Sequence, residues 1–147
     1  MSAEFTILDA IDDPEIWKPW FKKPETWVAW RAFLAALFAL PMNDAELKIY
    51  CQATGRQNPP TEPILESWLV CGRRAGKSFI LALISVYLAC FKDWRQYLAP
   101  GERGTICVVA RDRKQTRVVM RYIRALLLCR CSRNSSSRIR KVNTRII

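Results

Sequence analysis

The residues of this 147-residue chain best suited to chemistry are Gly72, Arg73, Arg74, Ala75, Gly76, Lys77 and Ser78. Their order serves phosphate binding. Small residues let backbone N–H groups close around phosphate oxygens, and a helix that follows adds the partial positive charge of its N-terminus. A lysine placed like Lys77 reaches β- and γ-phosphates, and a hydroxyl placed like Ser78 can ligate Mg2+. The pattern G-x-x-x-x-G-K-[ST] is met imperfectly. Cys71 stands where the first glycine belongs, and the glycine comes one residue later, at Gly72. The competing reading is a surface turn that happens to contain Gly-Lys-Ser. The flanking stretches weigh against it.

Those stretches are the elements that would position the loop. From Glu66 to Phe91 the chain reads as a short apolar strand, the glycine-containing turn and a long apolar helix. After a connection containing Pro100-Gly101, a strong turn signal, Thr105–Ala110 is a continuous apolar run rich in β-branched residues. Such a run predicts a strand buried on both faces of a parallel sheet. A helix is predicted from about Asp112 to Leu128, with Val118, Tyr122, Leu126 and Leu127 facing inward and Arg113, Lys114, Arg117, Arg121 and Arg124 forming a basic surface. Strand, helix, strand, helix implies an α/β fold built from right-handed βαβ units.

Ahead of this core the sequence predicts helices. Asp12, Asp13 and Pro14 read as a helix start, with Pro14–Phe21 a short helix bearing Trp17 and Trp20. A second helix is expected from Pro24 to about Leu40, where Trp27, Trp30, Leu34, Leu37 and Phe38 recur at helical spacing. That stripe reads as core rather than as a set of base-stacking platforms. Pro41 should end the helix. A third, from Ala45 to about Ala53, would be capped by Asn43 or Asp44 and stopped by Gly55. Gly55–Pro63 is a polar, proline-rich connection.

Charge is distributed unevenly. Residues 1–100 hold 11 basic and 11 acidic side chains, so the net +11 resides in residues 101–147, where Glu102 and Asp112 are the acids. A polyanion, nucleic acid first, is the partner such asymmetry suggests, against the alternative of a solvated basic helix or tail. No leader-like stretch of basic, apolar and small residues opens the sequence, so a reducing cytosol is expected. There Cys71, Cys90 and Cys107, set in apolar runs, serve as small hydrophobes. Cys129 and Cys131 have no histidine anywhere to complete a mixed zinc site. The apolar run Phe79–Phe91 is 13 residues, short of the roughly 20 that a spanning helix needs. Arg31 interrupts the run Val28–Leu40. Both runs read as buried helices.

The segment CGRRAGKS resembles the phosphate loop of the large terminase subunits of tailed bacteriophages, the motors that pack DNA into capsids. Upstream, LFALPMNDAELKIYCQATGRQNPPTEPILESWLVCGRR is similar to that family's approach to its loop, and YLAPGERGTICVVARDRKQTRVVMRYIRALL is similar to its downstream segment. The similarity covers roughly Trp27 to Leu127. It implies a P-loop NTPase-type parallel sheet with flanking helices, incomplete and preceded by an N-terminal helical segment. Residues 1–64 would be that segment and its linker, 65–128 a partial ATPase core, and 129–147 a basic tail with one further strand at Val142–Ile147.

The resemblance further implies ATP and Mg2+ as cofactors, with Gly72–Ser78 cradling the triphosphate. Lys77 would neutralise charge developing in phosphoryl transfer, and Ser78 would hold Mg2+. One of Arg73 and Arg74 would reach the γ-phosphate as an arginine finger, against the alternative of plain phosphate attraction. Arg56, Gln57 and Pro60 become candidates for holding the adenine, with an ordinary loop the alternative. Arg111, Arg113, Lys114 and Arg117 lie where related motors couple nucleotide state to DNA. Double-stranded DNA, the small terminase subunit and the portal protein are the implied partners, in the cytoplasm of a bacterial host.

The family's second strand, ending in Asp-Glu, is missing from the sequence. The one adjacent pair of acids, Asp12-Asp13, precedes the loop. The expectation is therefore an N-terminal piece of a large terminase subunit, a fragment or a degraded prophage gene product, that grips nucleotide without sustained hydrolysis. Unpaired strand edges would make it marginally stable and prone to associate. Two alternatives stay open. One is a nucleic-acid-binding remnant with a non-hydrolysing phosphate loop. The other is a small-molecule kinase, for which no acceptor lid is present.

Overall fold

Local capping explains where the first helices begin. The computed structural model describes residues 5–131, and these divide into two units between Arg73 and Arg74. In the first unit, α1 (Ile7–Asp12) starts at Thr6, whose Oγ1 accepts from the Asp9 amide while the Asp9 carboxylate accepts from the Thr6 amide. Such a reciprocal box satisfies two amides that the first turn leaves over. Asp12 and Asp13 therefore close a helix instead of opening one. The expected helix over Pro14–Phe21 is a turn followed by a single 3-10 turn, Lys18–Trp20. Its apolar residues pack regardless, with Trp17 fully buried and Ile16 and Phe21 nearly so.

A second 3-10 turn, Pro24–Trp27, leads into α2 (Val28–Leu37). The ring of Phe21 meets Trp27 edge to face at 4.8 Å. The buried stripe of α2 is Ala32, Leu34, Ala35 and Ala36, while Trp27, Trp30, Leu37 and Phe38 are half-buried. The helix ends ahead of Pro41 through a Schellman motif: the Ala39 amide donates to Ala36 and the Leu40 amide to Ala35, with Ala39 left-handed at φ 51°. Helix α3 (Asp44–Thr54) agrees closely with the sequence reading. Asn43 caps it in a box with Glu46, and Gly55 stops it at φ 72°.

Arg31 ties three elements of this unit together. Its Nη1 and Nη2 donate to the two carboxylate oxygens of Asp12 at 2.8 and 3.0 Å, and its Nε donates to Glu46 Oε1 at 3.2 Å. Burial alone would lower the pKa of Arg31, but the bonds and charges of Asp12 and Glu46 outweigh it and raise the value further. The residue that interrupts the apolar run in the sequence is thus the hub of α1, α2 and α3.

The second unit pairs α4 (Lys77–Cys90) with α5 (Arg113–Cys131). Phe79, Ile80, Ala82, Leu83, Val86, Tyr87 and Cys90 are buried on α4, and Val119 and Leu126 on α5. Phe79 and Tyr122 meet edge to face at 5.5 Å. The inward register of α5 is therefore Val119, Tyr122 and Leu126, not Val118, which is exposed. Between the helices, Pro100 and Gly101 form the expected turn. The Glu102 amide donates to the Ala99 carbonyl and Gly101 takes φ 89°, the geometry of a type II turn.

The parallel sheet is not present. Among the described residues there is no strand: both Glu66–Gly72 and Thr105–Ala110 are irregular. Trp68 is 89% and Val70 100% exposed in the first run, and Ile106 and Val109 are exposed in the second. The architecture is helical, which corrects the α/β expectation. The physical reason lies in what a strand is. An apolar run becomes one only when a neighbouring segment pairs with its N–H and C=O groups along its length, and no such ladder is formed by either run among the described residues. The strand expected at Val142–Ile147 lies outside these residues, as do the side chains of Cys129 and Cys131.

Candidate phosphate-binding loop

The loop precedes α4, and its conformation is set by two left-handed residues. Arg74 has φ 61° and Gly76 has φ 90°, ψ 4°. Gly76 is the N-cap of α4, its carbonyl accepting from the amides of Phe79 and Ile80 at 3.0 and 3.1 Å. A glycine suits the position because the left-handed region is free of penalty without a Cβ. It also supplies no side chain, and none caps this helix. Left-handed residues alternating with other conformations turn successive amides toward one side and create the concavity known as an anion nest.

The side chains predicted to act here fall together on this short segment. Arg73, Arg74 and Lys77 are exposed, as is Gly72, while Ala75, Gly76 and Ser78 are half-buried. The next two residues, Phe79 and Ile80, are buried and anchor the first turn of α4. The loop is thus fixed at its α4 end by apolar packing, where the expectation was fixation by a strand on the other side. Gly72 has no positive φ, and a Cβ there would meet nothing within 4 Å. Nothing in the fold requires a glycine at that place.

For phosphate oxygens the donor set fits: backbone amides of a left-handed turn, a helix N-terminus and three exposed cations. For Mg2+ the loop offers the Ser78 hydroxyl. Among the described residues there is no cluster of three or more His, Cys, Asp or Glu side chains, so Ser78 would share the ion with phosphate oxygens and water.

The remaining candidates lie elsewhere. Arg56 and Gln57 are exposed and Pro60 half-buried in the connection after α3, in the first unit, where the Cys51 thiol donates to the Gln57 carbonyl. Arg111 is exposed in the turn before α5, and Arg113, Lys114 and Arg117 are exposed on α5 itself. The sequence gives no signal for the left-handed turn at Arg74, since an arginine is an uncommon occupant of that region. The left-handed N-cap at Gly76 is the feature to which the Gly-Lys-Ser spacing points. No protein-family model matches this sequence, and comparison with curated proteins and with solved structures finds no match.

Proposed function

We propose that Gly72–Ser78 binds the phosphates of a nucleoside triphosphate, ATP with Mg2+, and that the chain is the nucleotide-gripping part of a DNA-packaging ATPase of the large-terminase kind. The observation that carries this reading is the pair of left-handed residues, Arg74 and Gly76, directly ahead of an α4 N-terminus that no side chain caps. Backbone amides at Ala75–Ser78 would hold the β-phosphate, and the exposed Lys77 would neutralise the β- and γ-oxygens. The Ser78 hydroxyl would hold Mg2+, which supplies charge neutralisation across the phosphates when bound. Arg73 and Arg74, both exposed, would reach the γ-phosphate. The resemblance of CGRRAGKS to terminase loops supports ATP as the nucleotide.

The test is equilibrium binding of a fluorescent ATP analogue with Mg2+ to the wild type and Lys77→Ala side by side. Hydrogen bonds to charged groups contribute about 1.5–3 kcal/mol, so Lys77→Ala should weaken binding at least tenfold. Equal affinity in the two proteins, or no affinity in either, would overturn the reading.

A further inference from the structure

Two apolar runs of this chain lie open to solvent, and they differ in what stands at their ends. Leu65, Trp68 and Val70 are almost wholly exposed, and Leu65–Val70 forms no backbone hydrogen bond among the described residues. The Trp68 indole N–H donates to Glu66 Oε1 at 2.9 Å, which sets residues i and i+2 on one side, as in an extended strand. Thr105–Ala110 likewise forms no backbone hydrogen bond among the described residues, and its Ile106 and Val109 are exposed. A strand-prone segment without charge or proline is a template for pairing with another chain. Neither Ser67–Gly72 nor Thr105–Ala110 holds a charge or a proline. Their flanks are unlike. Glu66 precedes the first run and Arg73 follows it, whereas the second lies between Arg103 and Arg111.

We infer that Glu66–Arg73 pairs antiparallel with the same segment of a second copy of this chain. Charge selects this arrangement, because like charges directly opposite destabilise a strand pair and unlike charges stabilise it. Two copies of the second run set Arg103 against Arg111 when antiparallel, and each arginine against itself when parallel. The first run paired with the second brings Arg73 to Arg103 in one direction and to Arg111 in the other. Two first runs in parallel put Glu66 beside Glu66 and Arg73 beside Arg73. The antiparallel pair of first runs brings an acidic end to a basic end, and it does so twice. A two-fold axis between antiparallel strands passes between one residue and its own copy. At Val70 it sets valine on valine, Leu69 beside Cys71, and Trp68 over Gly72, where the indole covers the space that glycine leaves. Such pairing closes at the dimer. Nothing in it requires phosphate at Gly72–Ser78.

The experiment is sedimentation velocity at about 150 mM salt, where long-range repulsion between cationic copies is screened. Concentrations run from roughly 5 to 500 µM, because a two-stranded interface is small and binds at the weak end. Amide I infrared spectra are recorded alongside. The wild type should pass from monomer to dimer with a growing β band. Val70→Lys sets two lysines face to face at the axis and should weaken dimerisation at least about tenfold. Val70→Glu should do the same. An equimolar mixture of the two variants should dimerise at least about threefold more tightly than either alone, since lysine then meets glutamate. Val109→Lys, an equal charge change at an exposed position of the second run, should dimerise within about threefold of wild type. Both valines lie outside the helices, so far-UV circular dichroism should show the helical content unchanged. A wild type that stays monomeric throughout would overturn the inference, as would wild-type association in Val70→Lys or an equal loss in Val109→Lys. So would a dimer without the β band, a mixture no tighter than its components, or growth past the dimer.

Discussion

Replacing Arg31 by methionine should destabilise the first unit by about 3 kcal/mol, and the figure rests on the bonding that Glu46 would lose. The Glu46 side chain is 4% exposed. Its Oε1 accepts from Arg31, and its Oε2 accepts from the Asn43 amide at 3.1 Å. Without Arg31 a buried carboxylate keeps one neutral donor and no counter-charge. Removing one partner of a buried pair costs roughly 3–5 kcal/mol. The lower end applies because the Arg31 side chain is itself 24% exposed and water can enter the space it leaves. The bidentate bond to Asp12 contributes less, since that carboxylate is 62% exposed and exposed pairs are worth about 0–1 kcal/mol. Asp12→Asn should therefore be mild. For a domain of 60–100 residues, 3 kcal/mol lowers Tm by roughly 12–24 °C. Urea unfolding followed by far-UV circular dichroism and by tryptophan emission, to which the fully buried Trp17 contributes, measures the difference. Arg31→Met/Glu46→Gln should recover at least about 1 kcal/mol of the loss, because the neutral amide has no charge to desolvate. The reasoning fails if Arg31→Met costs under about 1 kcal/mol, or if the double variant merely sums the two singles. The pH dependence has a definite sign. A raised arginine pKa gives stability that is fully present below the unfolded-state value and lost only as pH rises through the folded one, so the contribution of Arg31 is constant until far into the alkaline range.

Two further outcomes test the fold at single positions. Ala39→Gly should stabilise the protein by about 0.5–1 kcal/mol in the same urea experiment, because an L-residue in the left-handed region costs about 1–2 kcal/mol and the entropy glycine adds to the unfolded chain offsets part of the gain. Val119→Ala should destabilise by roughly 1.5–3 kcal/mol through a cavity between α4 and α5, whereas Val118→Ala, on the exposed side, should be neutral within about 0.5 kcal/mol; equal effects at the two valines would refute the register of α5.

The features legible in the sequence were those decided locally. Asn43 (read as one of two cap candidates with Asp44), Gly55, and Pro100-Gly101 each act within a few residues, and the structure uses all of them as caps or turns. The Gly-Lys-Ser spacing likewise placed Gly76 and Lys77 at a helix start. The C-terminus of α2 was less visible because its motif puts alanine where glycine is the usual signal. On α5 Tyr122 and Leu126 face inward as expected, and Val118 was taken for Val119 because adjacent valines satisfy the same apolar period. Arg31 was read as an interruption, since its partners stand 19 and 15 residues away and nothing local names them. The sheet was misread for the same kind of reason. Thr105–Ala110 has the composition of a strand, but pairing is a relation between two segments, and composition reports on one.

The charges of α5 run against its own axis. The positive end of the helix dipole lies at the N-terminus, and there the sequence places Arg113 and Lys114, with no acid in the first turn. Each such placement costs a few tenths to about 1 kcal/mol. The Asp112 carboxylate, bonded to the Gln115 amide, is the negative group that offsets them. That side chain contributes about 0.5–2 kcal/mol to the start of α5. Were it lost, the first turn would fray more readily, and Arg113 and Lys114 would be held less firmly in line with Arg117. An anion held between those two cations would do for the helix what Asp112 does, so a bound phosphate and an ordered first turn would reinforce each other.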